Sequence, residues 1–412
     1  MDNISHSLVG LALAESVYQR SAASRSSSSK IRALYWFASI ASNNLPDADL
    51  LLSFLLPPFK LGYLLHHRGH THTLLLAPFL GLALAWAIVL WNKRRGVALD
   101  RFDFWAILGL AVAGPWVHLG MDALGSYGVH PFWPFSNRWV YGDSVFILEP
   151  LIWLALLPVL FFGTQNRRVR WGCEVLFFGL LAAAWAVPLM TWFSALTVTL
   201  AAVLFTFGES RLALRWRADA ALALSALIIL FFAGLSQHVR GRLVAENAEF
   251  NPSAVLYDVV LSPLPANPFC WSVMTIETFS EGTRYRVRRG VYAPFARFVE
   301  ATQCPTRQLR TTASLREVAS IWGPEYFWEG QYQASVSDFK IFRNYSCAWN
   351  AYLRFSRAPF LSEEAGDFLA GDLRFDFEPG ASFAEVLLPQ DADFCNRYTP
   401  PWDPPRADIF FN

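Results

Sequence analysis

Leu64-Leu-His-His-Arg-Gly-His-Thr-His-Thr-Leu-Leu-Leu-Ala-Pro78 sets four histidines, an arginine and a glycine directly against the start of a long apolar run. His66, His67, His70 and His72 are half of the eight histidines in the chain. Imidazole is the commonest protein ligand for zinc and its neighbours, so the stretch reads as a metal site at a membrane boundary. The ordinary alternative is a solvated, histidine-rich loop capping a helix.

The rest of the chain favours the membrane. With 54% hydrophobic and 16% charged residues it is too apolar for an ordinary soluble protein. Runs of spanning length are expected at about Thr73 to Trp91, Phe104 to Met121, Phe146 to Phe162, Cys173 to Met190, Thr191 to Phe207 and Asp219 to Gln237. The two runs meeting at Met190 and Thr191 are joined so tightly that a re-entrant pair is the alternative there. Ser5 is the expected N-cap of a short helix, Ala22 to Lys30 a flexible serine-rich loop, and Ile31 to Leu45 a second helix stopped by Pro46. The fold class expected is mainly α: a multi-pass membrane helical bundle with a helical metal-binding core, followed by a C-terminal β-rich (α+β) soluble domain. Its parts are 1–72 with the first ligands, 73–237 in the membrane, and 238–412 beyond it.

The loops after the first, third and fifth runs carry Lys93, Arg94, Arg95 and Arg101, then Arg167, Arg168 and Arg170, then Arg211, Arg215 and Arg217. These loops are expected in the cytoplasm, which puts the histidine cluster and the C-terminal domain on the extracytoplasmic side of a bacterial inner membrane. Arg20, Arg25, Lys30, Arg32, Lys60 and Arg68 stand against that orientation. MDNISHSLVG shows no cleavable signal peptide. A net charge of +1 offers no basic surface, so nucleic acid is not an expected partner. The bilayer and a small or lipid-linked substrate are.

In the C-terminal part, Cys270 to Phe279 and Thr283 to Arg289 alternate apolar and polar residues across a glycine turn, the pattern of a β-hairpin. Gln331 to Phe342 and Leu369 to Phe377 read as further strands, and Ala313 to Trp322 as a helix. Cys270, Cys304, Cys347 and Cys395 suggest two disulfides with three possible connectivities. Four free thiols are the alternative.

A hydrolytic metal centre needs imidazoles and carboxylates from several segments. His118 and Asp122 stand at i and i+4, about 40° apart around a helix, so both point one way. Alone that pair is as readily a hydrogen-bonded contact inside a bundle. Asp47 and Asp49 follow Pro46 and can chelate an ion or hold a ligand histidine; a turn with exposed carboxylates is the commoner meaning. Arg68 suits a phosphate or oxyanion clamp, and Gly69 a sharp turn between ligands. Thr71 reads as the cap of the helix entering the membrane. Asp143 and Glu149 are candidates for the general base. The aromatics after Gly125 suit the rim of a pocket, or simple anchoring at the interface.

His6, then Leu45-Pro-Asp-Ala-Asp49, His67-Arg-Gly-His-Thr-His72 and His118-Leu-Gly-Met-Asp122 with its Tyr-Gly and Trp-Pro-Phe run, together resemble the YdjM-like inner-membrane proteins, a family of membrane-bound metal-dependent hydrolases. The motifs cover about residues 1 to 160. Asn267-Pro-Phe-Cys-Trp271 resembles the extra domain of longer members. The resemblance implies a divalent metal, zinc foremost, and a helical metal core similar to the zinc phospholipase C and single-strand nuclease group. It implies His6, Asp47, Asp49, His67, His72, His118 and Asp122 as ligands. His66 and His70 fall outside its pattern. The expected function is hydrolysis of a phosphoester or ester bond, lipid-linked given the site's depth. The alternative is a metal-handling or transport protein; the scarcity of charge after Glu174 speaks against an ion path.

Overall fold

A computed structural model describes residues 1–22, 29–53, 59–96, 98–164, 166–306, 315–364, 366–377, 382–388 and 399–411. Helices predominate. The chain begins with α1 (Asn3–Ala22) and α2 (Ser29–Asn44), a 3-10 turn at Pro46–Ala48, and the short α3 (Asp49–Ser53) and α4 (Phe59–His66). There follow α5 (Ala77–Arg94), α6 (Arg101–Ala123), α7 (Pro150–Gly163), α8 (Arg167–Ala186), α9 (Trp192–Arg211) and α10 (Leu214–Phe250). The first helix starts earlier than Ser5, because Asp2 rather than Ser5 caps it, its carboxylate accepting the Ile4 and Ser5 N–H groups at 2.9 and 3.0 Å. Of the expected serine-rich loop, residues 23–28 lie outside the described residues; Ser29 and Lys30 are already helical.

Helices stand at all six expected runs, but among the described residues only α6, α8, α9 and α10 are long and apolar enough to cross a membrane. With 14 residues, α7 is about 21 Å long, short of the ~30 Å hydrocarbon layer. It is buried along almost its whole length, packed against α1, α8, α9 and α10. Hydropathy cannot separate such a strut from a span, because a helix apolar all round suits either. The tight junction at Met190 and Thr191 is a break between two helices.

Glycines set the close approaches near the motif. A Cβ on Gly114 of α6 would overlap Ser42 of α2, and one on Gly10 of α1 would stand 2.9 Å from the Ser39 carbonyl. Their absence lets three helices meet where His6, Asn43 and His118 reside.

The C-terminal part is a five-stranded antiparallel sheet, β1 (Val255–Leu264), β2 (Asn267–Phe279), β3 (Arg284–Tyr292), β4 (Arg316–Trp322) and β5 (Tyr326–Ser335), in the order β1-β2-β3-β5-β4. Two helices, α11 (Val336–Tyr345) and α12 (Cys347–Tyr352), precede a three-stranded sheet of β6 (Pro359–Glu364), β7 (Asp367–Asp372) and β8 (Val386–Leu387); α13 (Ala407–Phe410) comes last. The expected hairpin is β2–β3, with Phe279 opposite Arg284. Two expectations are corrected: Ala313 to Trp322 holds strand β4 instead of a helix, and the strand expected over Gln331 to Phe342 ends at Ser335, where the Ser335 hydroxyl caps α11. Cys270 is bonded to Cys304, and Cys347 is also disulfide-bonded; Cys395 lies outside the described residues.

The expected boundary at His238 falls inside α10, which runs to Phe250 and shares a core with Val259, Leu261 and Trp271 of the sheet. Leu61, Leu64 and Leu65 of α4 are buried in the other sheet-side core with Tyr285 and Trp349. The segment leading into the histidine motif is thus gripped by the C-terminal part.

Candidate metal centre

Three segments converge on one point. Asp47 comes from the 3-10 turn, His72 from the loop before α5, and His118 and Asp122 from one face of α6; all four are buried. His72 Nε2 lies 3.0 Å from His118 Nε2, and each of these atoms is 3.4 Å from Asp47 Oδ1 and from Asp122 Oδ2. Five of the six edges of a tetrahedron thus have the length that puts its centre about 2 Å from each corner, the distance of zinc–nitrogen and zinc–oxygen bonds.

The hydrogen bonds behind the ligands fix which nitrogen faces the centre. His118 Nδ1 donates to the Asn43 carbonyl at 2.6 Å, leaving the Nε2 lone pair inward. The Thr71 hydroxyl donates to Asp49 Oδ2 at 2.7 Å and stands 3.0 Å from His72 Nδ1, which orients His72 in the same sense. Asp47 Oδ1 and Asp122 Oδ2 accept no hydrogen bond among the described residues, although Arg68 Nε stands 3.0 Å from the latter. Four electron-rich atoms facing one buried point need a cation or a proton among them. Burial opposes a charge on His72, but Asp122, Asp47 and Asp49 outweigh it and raise its pKa to about 10. Burial likewise opposes ionisation of Asp47 and Asp49, and the facing imidazoles hold both well below the usual carboxylate range. The donor set fits a divalent ion such as zinc.

A second group shares Asp47: Asp47, Asp49 and His67 offer ligand atoms within 4.8 Å of one another. His67 Nδ1 is 3.0 Å from Asp49 Oδ1, and Asp49 Oδ2 also takes the Arg68 backbone N–H at 3.2 Å. This group reaches open space through His67, which with Arg68 lines a cavity of about 340 Å³ between the helices and the C-terminal sheet.

Other expected site residues are placed differently. His6 joins neither group; it stacks on His118 at 3.9 Å and its Nε2 is 3.2 Å from Asp122 Oδ1. Burial lowers its pKa to about 4, so it is a neutral support. Asp143 is taken by a bidentate pair with Arg357, both contacts 2.9 Å, and by Arg240. Buried Glu149 caps α7 through the Leu151 N–H at 3.2 Å and accepts the Ala266 N–H at 3.3 Å. Neither carboxylate, each a candidate for the general base, joins the ligand groups; Asp143 faces Arg357 and Arg240, and Glu149 the Leu151 and Ala266 N–H groups. Both precede α7, close in sequence to the motif but turned toward the C-terminal part.

Arg68 is buried against Asp122 with its guanidinium 4.7 Å from the Tyr127 ring centre. It also takes the left-handed conformation, φ 60°, that Gly69 was expected to supply. Gly69 is required for another reason: a Cβ there would lie 2.8 Å from the His66 carbonyl and 2.9 Å from the Trp402 ring. Thr71 serves Asp49 rather than a helix end, and Thr73 makes the capping bond to Leu76 N–H at 3.1 Å. His70 packs against Trp133 and Trp402 at the rim. Tyr127, one of the aromatics after Gly125, does line the cavity; sequence reading missed Asn43 and Arg374, because a carbonyl acceptor and a residue brought in by the C-terminal part leave no local pattern.

The family model described as YdjM inner membrane protein matches residues 1–193. No curated protein and no solved structure matches the chain. Residues 1–193, which contain the ligand cluster, are thus similar to the YdjM inner membrane protein family, and four described helices are long and apolar enough to cross a bilayer.

Proposed function

We propose that the protein is a metal-dependent hydrolase acting on a phosphoester or ester bond. The observation that carries this is the pair of buried ligand groups that share Asp47, one with His72, His118 and Asp122 and the other with Asp49 and His67 at the edge of a cavity. Closed sites are structural and open ones catalytic. By that rule the four-residue group is the organising site, and the group of Asp47, Asp49 and His67, in which His67 lines the cavity, is the reactive one. A divalent ion held there supplies an acidified water and polarises the oxygen under attack.

The chain's own residues do the rest. Asp47 belongs to both groups and couples their geometry. Thr71, His67 and the Arg68 N–H fix the Asp49 carboxylate. Arg68, steadied by Asp122 and the Tyr127 face, offers a planar donor set to an anion in the cavity and to charge developing on it.

The test is elemental analysis of the detergent-purified protein beside Asp47→Asn and His118→Ala, followed by a screen of phosphodiesters and esters. Stoichiometric divalent metal in the wild type, lost in both variants, is expected. A wild type that neither retains metal nor gains melting temperature when metal is added removes the basis of this reading.

The disulfide-bonded Cys270, Cys304 and Cys347 support an extracytoplasmic C-terminal part, since such bonds persist in oxidising compartments. A membrane-impermeant thiol reagent is expected to label a Ser280→Cys variant in intact spheroplasts. Labelling only after permeabilisation would reverse the orientation.

A further inference from the structure

Two concave surfaces adjoin at consecutive residues. The cavity beside Arg68 has an apolar wall that includes Phe146, Ile147, Met274, Phe375 and Phe377. Leu148, next in the chain to Ile147, lines a separate groove of about 300 Å³ with Trp153 of α7 and Val175, Leu176, Gly179 and Leu180 of α8. Both Ile147 and Leu148 are exposed.

The groove is apolar throughout and lies on α8, a helix long and apolar enough to cross the membrane and little covered by the rest of the chain. What surrounds such a face is hydrocarbon. A Cβ added at Gly179 would meet nothing within 4 Å, so the groove is open at that point. The cavity next to it differs in charge. Arg374 commits its guanidinium there to Asp372, with contacts of 2.9 and 3.0 Å, and to the Ser126 and Tyr127 carbonyls, whereas Arg68, which faces Asp122 through Nε, stands with His67 at the end nearest the ligand groups. Polar recognition is therefore concentrated at one end and apolar lining extends away from it toward the bilayer.

We propose that the substrate is a phosphate-bearing lipid entering sideways from the membrane, its phosphate beside Arg68 and its acyl chain in the groove between α7 and α8. This rests on the hydrolase reading of the same site, and it makes Gly179 and Val175 determinants of chain recognition. A soluble phosphoester shares the headgroup chemistry but has no use for the groove.

Binding separates the two without relying on turnover. The metal-loaded full chain, transferred from detergent into amphipol, is titrated with dodecyl phosphate, ethyl phosphate and dodecanol, and affinity is read from the rise in melting temperature. Dodecyl phosphate is expected to bind at least about tenfold more tightly than ethyl phosphate or dodecanol, the worth of two buried methylenes or of one charged contact. Gly179→Trp, which fills open space, and Val175→Trp, on an exposed face, are each expected to weaken dodecyl phosphate by about tenfold and leave ethyl phosphate unchanged. Equal affinity for the two phosphates overturns the proposal in favour of a soluble ligand, and that comparison needs neither variant. Dodecanol binding as tightly as dodecyl phosphate, or unchanged dodecyl phosphate affinity in both folded variants, overturns it as well. If the expected pattern appears while no phosphoester is cleaved, the lipid site stands and the hydrolase reading falls.

Discussion

At the scale of single residues, the metal site depends on groups that never touch the centre. The Thr71 hydroxyl links Asp49 to His72, so Thr71→Val keeps the volume and removes the link. Loss of such an outer partner is expected to weaken metal binding roughly 10–100-fold, measured by competition with a chromophoric chelator. Gly69→Ala would press a methyl against the His66 carbonyl and the Trp402 ring. Overpacking of this kind is expected to cost ~1–3 kcal/mol, read from denaturant or thermal unfolding. The ligand types and their order were legible in the chain, because imidazole and carboxylate chemistry is written in residue identity. Which nitrogen each histidine presents was not, because it depends on Asn43 and Thr71 arriving from elsewhere.

At the scale of elements, the site is a meeting of α1, α2 and α6 at glycines. Gly114→Val would drive α6 off Ser42 of α2 and displace Asp47 from His118 and Asp122. The variant is expected to insert in the membrane yet lose its metal. Gly120→Ala on the same helix meets nothing within 4 Å and is expected to retain it. Periodicity found the apolar helices, since runs of this length have few soluble counterparts. It failed on α7 and β4. A helix buried by protein and one buried by lipid carry the same apolar surface, and the β4 stretch takes its form from pairing with β5, a partner distant from any local signal.

At the scale of the whole molecule, the C-terminal part closes over the helices through a buried charge clamp. Arg357 holds Asp143 of the loop after α6 and Asp258 of β1 together. Arg357→Met would leave Asp143 to Arg240 alone and Asp258 to Arg406 and Arg240, and is expected to destabilise the fold by up to roughly 3–5 kcal/mol, most of it as detachment of the C-terminal part in limited proteolysis. Burial opposes ionisation of Asp258, and Arg357, Arg406 and Arg240 outweigh it, holding its pKa down at about 2. A depressed folded pKa contributes stability above the unfolded value of 3.8 that is lost as the pH falls toward 2. Acid unfolding followed from pH 5 to pH 2 is expected to steepen through that window, and to flatten in Asp258→Asn.

In the sequence alone one can read apolar runs long enough for a membrane, histidine and aspartate segments of a type that can hold one metal ion, and a β-rich part that follows. Those properties reside in composition, in spacing along one helix face and in residue chemistry. The three-dimensional arrangement adds that His6 lies outside both ligand groups against His118, that Asp143 and Glu149 face the C-terminal part, and that the sheet forms the far wall of the cavity. Each of these depends on a partner more than a hundred residues away, and the choice of partner is a matter of packing in three dimensions.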